Sequence, residues 1–191
     1  MHDRQDARAV EIVVQSWSVR GDDSPIRYYK HVGKHNVDTQ PESTSPFDTK
    51  DFLPEDFLLV MQSPQQALMM KENPRTLCVD ATHGVTGYGY YLLTILVIDK
   101  QGSGLPVAWA IASRENAYVW HLFSKSLRVE ALGSNPEVVM SDDSNSAWNG
   151  LRATWPSLKH KLLCHWHIKR NVKLHCVGSK SRVKVMNLNR T

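Results

Sequence analysis

Two short apolar runs, separated by about sixty residues, each end in a carboxylate. The first is Thr-Leu-Cys-Val-Asp at 76–80, and the second is Val-Val-Met-Ser-Asp-Asp at 138–143. A short apolar run of this kind is typical of a buried strand. If the two strands are neighbours, Asp80 and Asp142 come to one edge of a sheet. Such a pair of carboxylates suits a divalent cation that acts on phosphates.

The segments around these two runs predict an α/β fold. Apolar periodicity and turn residues predict strands at 76–80, 91–98, 106–113, 137–141 and 161–164, and helices at 117–132, 145–154 and 165–174. The first three strands form an antiparallel meander, and the crossover helix makes the fourth strand parallel to the first. This order, β-β-β-α-β-α-β-α, is the ribonuclease H-like plan, here incomplete at the C-terminus.

Residues 1–50 are expected to be a poorly structured N-terminal segment. Residues 1–20 could form a short strand or helix, and 21–50 read as a connector with little core, because proline and polar residues dominate it. The main domain is predicted at 51–176, and Ser63 followed by Pro64 marks the start of a helix within it. Residues 177–191 are predicted to be a disordered tail.

The carboxylates allow more than one role. Asp80 and Asp142 can hold Mg²⁺ or Mn²⁺, since two adjacent carboxylates repel each other unless a cation lies between them. Asp80 could instead cap a turn, and Asp142 or Asp143 could cap the helix after Ser144. Glu115 is expected to pair with Arg114 or to cap the next helix, with a part in the metal site as the lesser alternative.

A second group of candidate ligands lies near the C-terminal end. Cys164 and His167 are three residues apart at a predicted strand-to-helix turn, and His175 and Cys176 could complete a four-ligand zinc site. The spacing matches no standard zinc finger. The alternative is a core cysteine followed by histidines that line a basic helix.

Charge is distributed unevenly along the chain. Residues 1–150 hold 13 Lys and Arg against 19 Asp and Glu, whereas 151–191 hold 10 Lys and Arg and no acid. The basic end could lie along nucleic-acid phosphates or form a solvated face. The three cysteines predict no disulfide framework and favour a reducing intracellular location. The tryptophans are expected in the core rather than as platforms for bases: Trp109, Trp120, Trp148, Trp155 and Trp166.

A co-linear series of motifs over residues 51–171 resembles the transposase domain of Mutator-like elements (MULE transposases). The motifs are Cys-Val-Asp-Ala-Thr-His-Gly at 78–84, Leu-Thr-Ile-Leu-Val-Ile-Asp at 93–99, Gly-Leu-Pro-Val-Ala-Trp at 104–109, Arg-Glu at 114–115, Met-Ser-Asp-Asp at 140–143 and Cys-His-Trp-His-Ile at 164–168. The last of these matches the family's Cys-x-x-His element.

The resemblance implies a nuclear DDE-type transposase that cuts and joins DNA with Mg²⁺ held by two aspartates and a glutamate. Asp80 matches the first acid and Asp142 the second. It also implies DNA as a partner, leaves room for a homo-oligomer and implies no membrane. The family's glutamate lies beyond the Cys-x-x-His element, but no Asp or Glu follows Asp143 here. We therefore expect a truncated domain that is inactive alone, or a non-catalytic nucleic-acid-binding protein derived from one.

Overall fold

The computed structural model describes residues 4–33, 47, 53–128, 133 and 135–178, with the backbone alone for 4, 5 and 174–178. In chain order its elements are α1 (Arg4–Ser18), a 3-10 turn (Gly21–Asp23), β1 (Ile26–Lys30), β2 (Leu58–Met61), α2 (Pro64–Glu72), β3 (Thr76–His83), β4 (Tyr91–Ile98), β5 (Gly104–Ala112), α3 (Ala117–Lys125), β6 (Val138–Ser141), α4 (Asn145–Thr154), β7 (His160–Leu163) and α5 (His165–Gly178).

The seven strands of this described part form one mixed sheet in the order β1-β2-β5-β4-β3-β6-β7. The pairs from β1 to β3 are antiparallel, whereas β3 with β6 and β6 with β7 are parallel. The predicted neighbours, the two acid-bearing strands β3 and β6, therefore pair as expected. The α/β architecture with a mixed sheet is confirmed and is compatible with a ribonuclease H-like fold.

Local sequence signals account for the element boundaries around β3 and β4. Ser63 caps α2 in a capping box: its hydroxyl accepts from the Gln66 amide, and the Gln66 side chain accepts from the Ser63 amide. In the β4–β5 turn, the Asp99 carboxylate accepts from two backbone amides, and Gly102 has a φ of 82°. These contacts need only near neighbours in the chain, which is why the pattern predicted them.

Two hydrophobic clusters lie on opposite faces of the sheet. The larger core joins alternate strand residues to α2, α3 and α4 and includes Leu58 and Val60. The intervening Leu59 belongs instead to a smaller cluster with Val14 of α1. Because side chains alternate across a strand, α1 covers the face opposite to α2, α3 and α4. On β3 the same alternation buries Leu77 and Val79 in the larger core and puts Asp80 on the other face.

Several predicted element boundaries were wrong. The connector at 21–50 contains β1, which pairs with β2 and extends the sheet. Residues 4–18 form a helix, one of the two alternatives expected for residues 1–20. The first acid-bearing strand continues to His83, because β4 reaches back to pair with it through Tyr91. The helix predicted at 117–132 ends at Lys125, and residues 129–132 lie outside the described part. The domain boundaries at 50 and 176 remain predictions, and residues 179–191 are likewise not described.

Strand β4 is fully buried on one face only. Leu93, Ile95 and Val97 are completely buried in the larger core. The alternate residues, such as Leu92 and Thr94, are half-buried. The face that carries Asp80 is therefore more accessible than the face under the helices.

Candidate functional site

The pairing of β3 with β6 aligns the two predicted acids. The parallel ladder pairs Leu77 with Val139 and Cys78 with Met140. Asp80 and Asp142 each lie two residues beyond the last of these pairs, and Asp142 is the first residue after β6. Residue alternation within β3 assigns Asp80 to the face opposite the larger core. The Asp80 side chain is 43% exposed and Asp142 is also exposed, so both are open to an ion.

Strand β7 lies beside β6 and brings Cys164 next to the end of β6. It pairs with β6 in parallel, Met140 with Leu162 and Ser141 with Leu163. Cys164 follows β7 directly, so the same register places it opposite Asp142. Its backbone amide donates to the Ser141 carbonyl at 2.7 Å, which fixes the start of α5 beside the end of β6.

His167, in the first turn of α5, lies against the first acid. Its Nε2 is 3.4 Å from Oδ1 of Asp80, and its side chain is 24% exposed. The other oxygen of that carboxylate, Oδ2, accepts from the Thr82 hydroxyl at 2.9 Å. The Cys-x-x-His element was not expected to contact the acids, and the structure brings its histidine to Asp80. No signal in the sequence indicated this proximity, because it depends on the pairing of β7 with β6 and on the position of α5 that follows from it.

Asp142 also makes the local contact that its alternative role predicted. Its Oδ1 accepts from the Ser144 amide at 3.0 Å, and Ser144 is itself the N-cap of α4. Asp142 therefore stabilises the turn before α4. Asp143 is exposed, and its backbone carbonyl accepts from the ammonium of Lys161 on β7.

Neither of the favoured roles of Glu115 is observed. Arg114 pairs with Asp56 at 2.8 Å instead, and Asn116 is the N-cap of α3. Glu115 accepts a hydrogen bond of 2.7 Å from the indole nitrogen of Trp120. The glutamate therefore stabilises α3 from outside its N-terminus, through a contact with a core side chain that sequence spacing did not reveal.

Among the described residues, no group of three or more His, Cys, Asp or Glu is placed to hold a metal ion. Asp80 and Asp142 carry carboxylate oxygens, the type of donor that Mg²⁺ and Mn²⁺ prefer. Cys78 and Cys164 are free thiols. Burial, and then the neighbouring Cys164, raise the pKa of the Cys78 thiol, which disfavours the thiolate that zinc requires. The side chains of His175 and Cys176 lie outside the description, so the four-ligand zinc set remains a prediction.

The family model of the MULE transposase domain matches residues 76–171. The chain belongs to the MULE transposase family. The matched region runs from β3 into α5 and contains Asp80, Asp142, Cys164 and His167. This MULE chain is accordingly transposase-derived. Its family implies interaction with DNA and, in general, dependence on a divalent metal. No curated protein matches the chain.

Helix α5 of this MULE domain presents an exposed, basic surface. Trp166, expected in the core, is 61% exposed, and the guanidinium of Arg170 lies 5.4 Å from the centre of its ring. Trp120 and Trp155 are buried as predicted. Lys169 and Lys173 are exposed on the same helix. No helix in the described ranges combines the length and the apolar character needed to span a membrane.

Proposed function

We propose that this chain is a DDE-type transposase domain in which Asp80 and Asp142 hold a catalytic Mg²⁺ or Mn²⁺. The observation that supports the proposal is the parallel pairing of β3 with β6, in which Cys78 pairs with Met140 and each acid follows two residues later in its own chain. Adjacent strands lie about 4.8 Å apart, a separation that two carboxylates can bridge through one ion. When bound, the ion supplies an activated water or 3′-hydroxyl and neutralises charge on the phosphate.

The residues of the chain itself hold the two acids in place. Thr82 donates to one oxygen of Asp80, and the Ser144 amide donates to one oxygen of Asp142. Each carboxylate keeps further lone pairs for a cation. Both acids are thus oriented by contacts within their own strand or turn before any ion or DNA arrives, which lowers the cost of ordering them on binding.

The proposal includes inactivity of this chain in strand transfer when it acts alone. No Asp or Glu follows Asp143, so α5 supplies no third carboxylate. Two ligands bind a hard cation weakly and leave it less precisely placed. Loss of electrostatic stabilisation at this point costs several kcal/mol in the transition state, which corresponds to about a thousandfold or more in rate.

The test is Mn²⁺ binding followed by electron paramagnetic resonance, in parallel with an assay for cleavage of terminal-repeat DNA. Asp80→Asn and Asp142→Asn are each expected to lose most of the Mn²⁺ binding, and Asp143→Asn to retain it. The last variant is a matched control, because it removes the same charge from the neighbouring position. Equal Mn²⁺ affinity in all three variants would refute the metal site. Mn²⁺-dependent strand transfer by the unmodified chain would refute its inactivity.

The exposed surface of α5 favours a second candidate function, non-catalytic binding of nucleic acid. Trp166 offers an accessible ring with Arg170 beside it, in a segment that has basic residues and no acid. Aromatic rings stack on bases, and basic side chains contact phosphates. DNA affinity is then expected to fall steeply with salt and to survive the double substitution Asp80→Ala with Asp142→Ala. An affinity that does not respond to salt, or that disappears in this double variant, would exclude it.

A further inference from the structure

We propose that His167 is a positioning residue that orients the Asp80 carboxylate for the metal ion, an inference that rests on the proposed function. The family resemblance supplies a Cys-x-x-His element without a role for it. The structure places the histidine of this element, and no carboxylate of α5, against the first acid. The ligand of the site is the same divalent cation as in the proposed function. His167 affects the binding of this cation by orienting the Asp80 carboxylate.

Asp80 has one neighbour for each of its oxygens. Nε2 of His167 is 3.4 Å from Oδ1, and the Thr82 hydroxyl donates to Oδ2 at 2.9 Å. The last side-chain torsion of an aspartate is broad and poorly defined by its own strand. Thr82 lies on the same strand two residues away and limits this torsion from one side. His167 comes from a different element and limits it from the other side.

The imidazole of His167 is itself held in place. Its ring makes an edge contact with the Trp166 ring, with centroids 4.8 Å apart and planes at 83°. The Ile168 amide donates to the Cys164 carbonyl, and the Cys164 amide donates to Ser141. The first turn of α5 is therefore tied to the end of β6. This anchor explains the spacing of the element, since His167 lies one turn after the residue that fixes the helix.

The placement of His167 is not explained by stability alone. Its Nδ1 is buried and has no hydrogen-bond partner among the described residues. A buried polar atom without a partner costs stability, so such an atom is rare in a position that serves folding only. The other ring nitrogen faces the carboxylate. A ring held this way at a metal-binding acid is the arrangement by which an outer residue orients a ligand.

Two substitutions of His167, by Gln and by Leu, have similar side-chain volumes. They distinguish hydrogen-bond donation to Asp80 from simple occupation of the space. In His167→Gln, the amide nitrogen can occupy roughly the place of Nε2 and donate to Asp80, whereas His167→Leu only fills the space. We expect Mn²⁺ affinity, measured by electron paramagnetic resonance, to fall about tenfold or more in His167→Leu and to stay within a few-fold of the original in His167→Gln. His165→Leu, at an exposed position of the same helix, is the matched control and is expected to keep its affinity.

A second measurement tests the contact without any metal. Unfolding in EDTA is followed for His167→Leu, Asp80→Asn and the double variant. If the two side chains interact, their effects on the free energy of unfolding are not additive. Additive effects would overturn the contact on which the proposal depends.

The outcomes for the two proposals differ. Original Mn²⁺ affinity in His167→Leu together with lost affinity in Asp80→Asn would overturn the positioning role alone. Equal loss in His167→Gln and His167→Leu would overturn a role that works through donation to Asp80. Original affinity in Asp80→Asn would overturn the proposed function, and the positioning role with it.

Discussion

The ammonium of Lys161, on the edge strand β7, donates to the Ser144 carbonyl at 2.7 Å and so holds the loop that carries Asp142. The same group also donates to the Asp143 carbonyl and to the side-chain oxygen of Asn145. One side chain thus connects the end of β7 to the turn after β6. The orientation of the second acid depends on this contact as well as on its own strand.

Replacement of Lys161 by Met is expected to loosen this loop. Each lost hydrogen bond contributes about 1 kcal/mol, so the Ser144 amide should exchange with solvent about tenfold faster. Hydrogen exchange measured by mass spectrometry or NMR checks this. Lys159→Met is the control, because it removes the same charge from an exposed side chain two residues earlier. Equal exchange rates in the two variants would contradict the role given to Lys161.

Gly150 is expected to be irreplaceable where α4 crosses α3. A Cβ at this position would lie 2.5 Å from Cβ of Trp120 and 2.9 Å from the His121 amide nitrogen, and closer still to the Ala117 carbonyl. Gly150→Ala must push the helices apart and should cost about 1–3 kcal/mol of unfolding free energy. Urea unfolding measures it. Gly87→Ala is the control, since nothing lies within 4 Å of its added Cβ, and a loss of similar size there would contradict the steric explanation.

The buried carboxylate of Asp56 joins three segments of the chain. It accepts from the Leu53 amide, the Ser113 hydroxyl and the Arg114 guanidinium. Asp56→Asn removes the negative charge and replaces one acceptor oxygen by an amide group that faces one of these donors. We expect the free energy of unfolding, measured by heat or urea, to fall by about 2 kcal/mol or more. Glu55→Gln, at the exposed neighbouring position, should change stability by less than about 0.5 kcal/mol. Similar losses in both variants would show that the network adds little.

Tyr29 is expected to make stability fall at alkaline pH. Burial, and then Glu11, raise the pKa of its hydroxyl above the ordinary value of 10.0. As pH rises past that value, the unfolded chain loses the proton first, and the unfolded state gains relative to the folded one. Tyr29→Phe should therefore lose less stability than the original chain between about pH 7 and about pH 10.5.

At neutral pH, Tyr29→Phe also tests a buried polar group. The Tyr29 hydroxyl has no hydrogen-bond partner within the described ranges. Its removal should leave the free energy of unfolding unchanged or raise it by up to about 1 kcal/mol. Urea unfolding of the original chain and of Tyr29→Phe, at about pH 7 and about pH 10.5, measures both effects. A clear loss of unfolding free energy in Tyr29→Phe at neutral pH would contradict this account. So would an equal fall in the stability of the two chains at alkaline pH.

Local patterns were sufficient for much of the fold around the site. The bounds of β4 and α4 and the helix start at Ser63 and Pro64 matched the prediction, because periodicity, caps and turns depend on residues a few positions apart. The neighbouring positions of β3 and β6 also followed from the order of strands and helices.

Contacts between distant segments were not predictable in this way. Nothing in the pattern of residues 21–50 indicated that β1 pairs with β2, since its residues are mostly half-buried and show no clean alternation. The exposure of Trp166 was also missed, because an aromatic residue in a short helix carries no local sign of which side it faces. The pairing of β1 and the exposure of Trp166 both depend on which edges and surfaces the other elements of the fold cover.

The amino-acid sequence by itself determined the two acid-bearing strands, their parallel neighbourhood and the family to which the chain belongs. The tertiary structure alone decided that His167 meets Asp80 and that Lys161 supports the turn of Asp142. The physical reason is the range of the interactions involved. Strand and helix preferences come from adjacent residues, whereas these two contacts exist only once β7 has paired with β6 and placed α5 beside the acids.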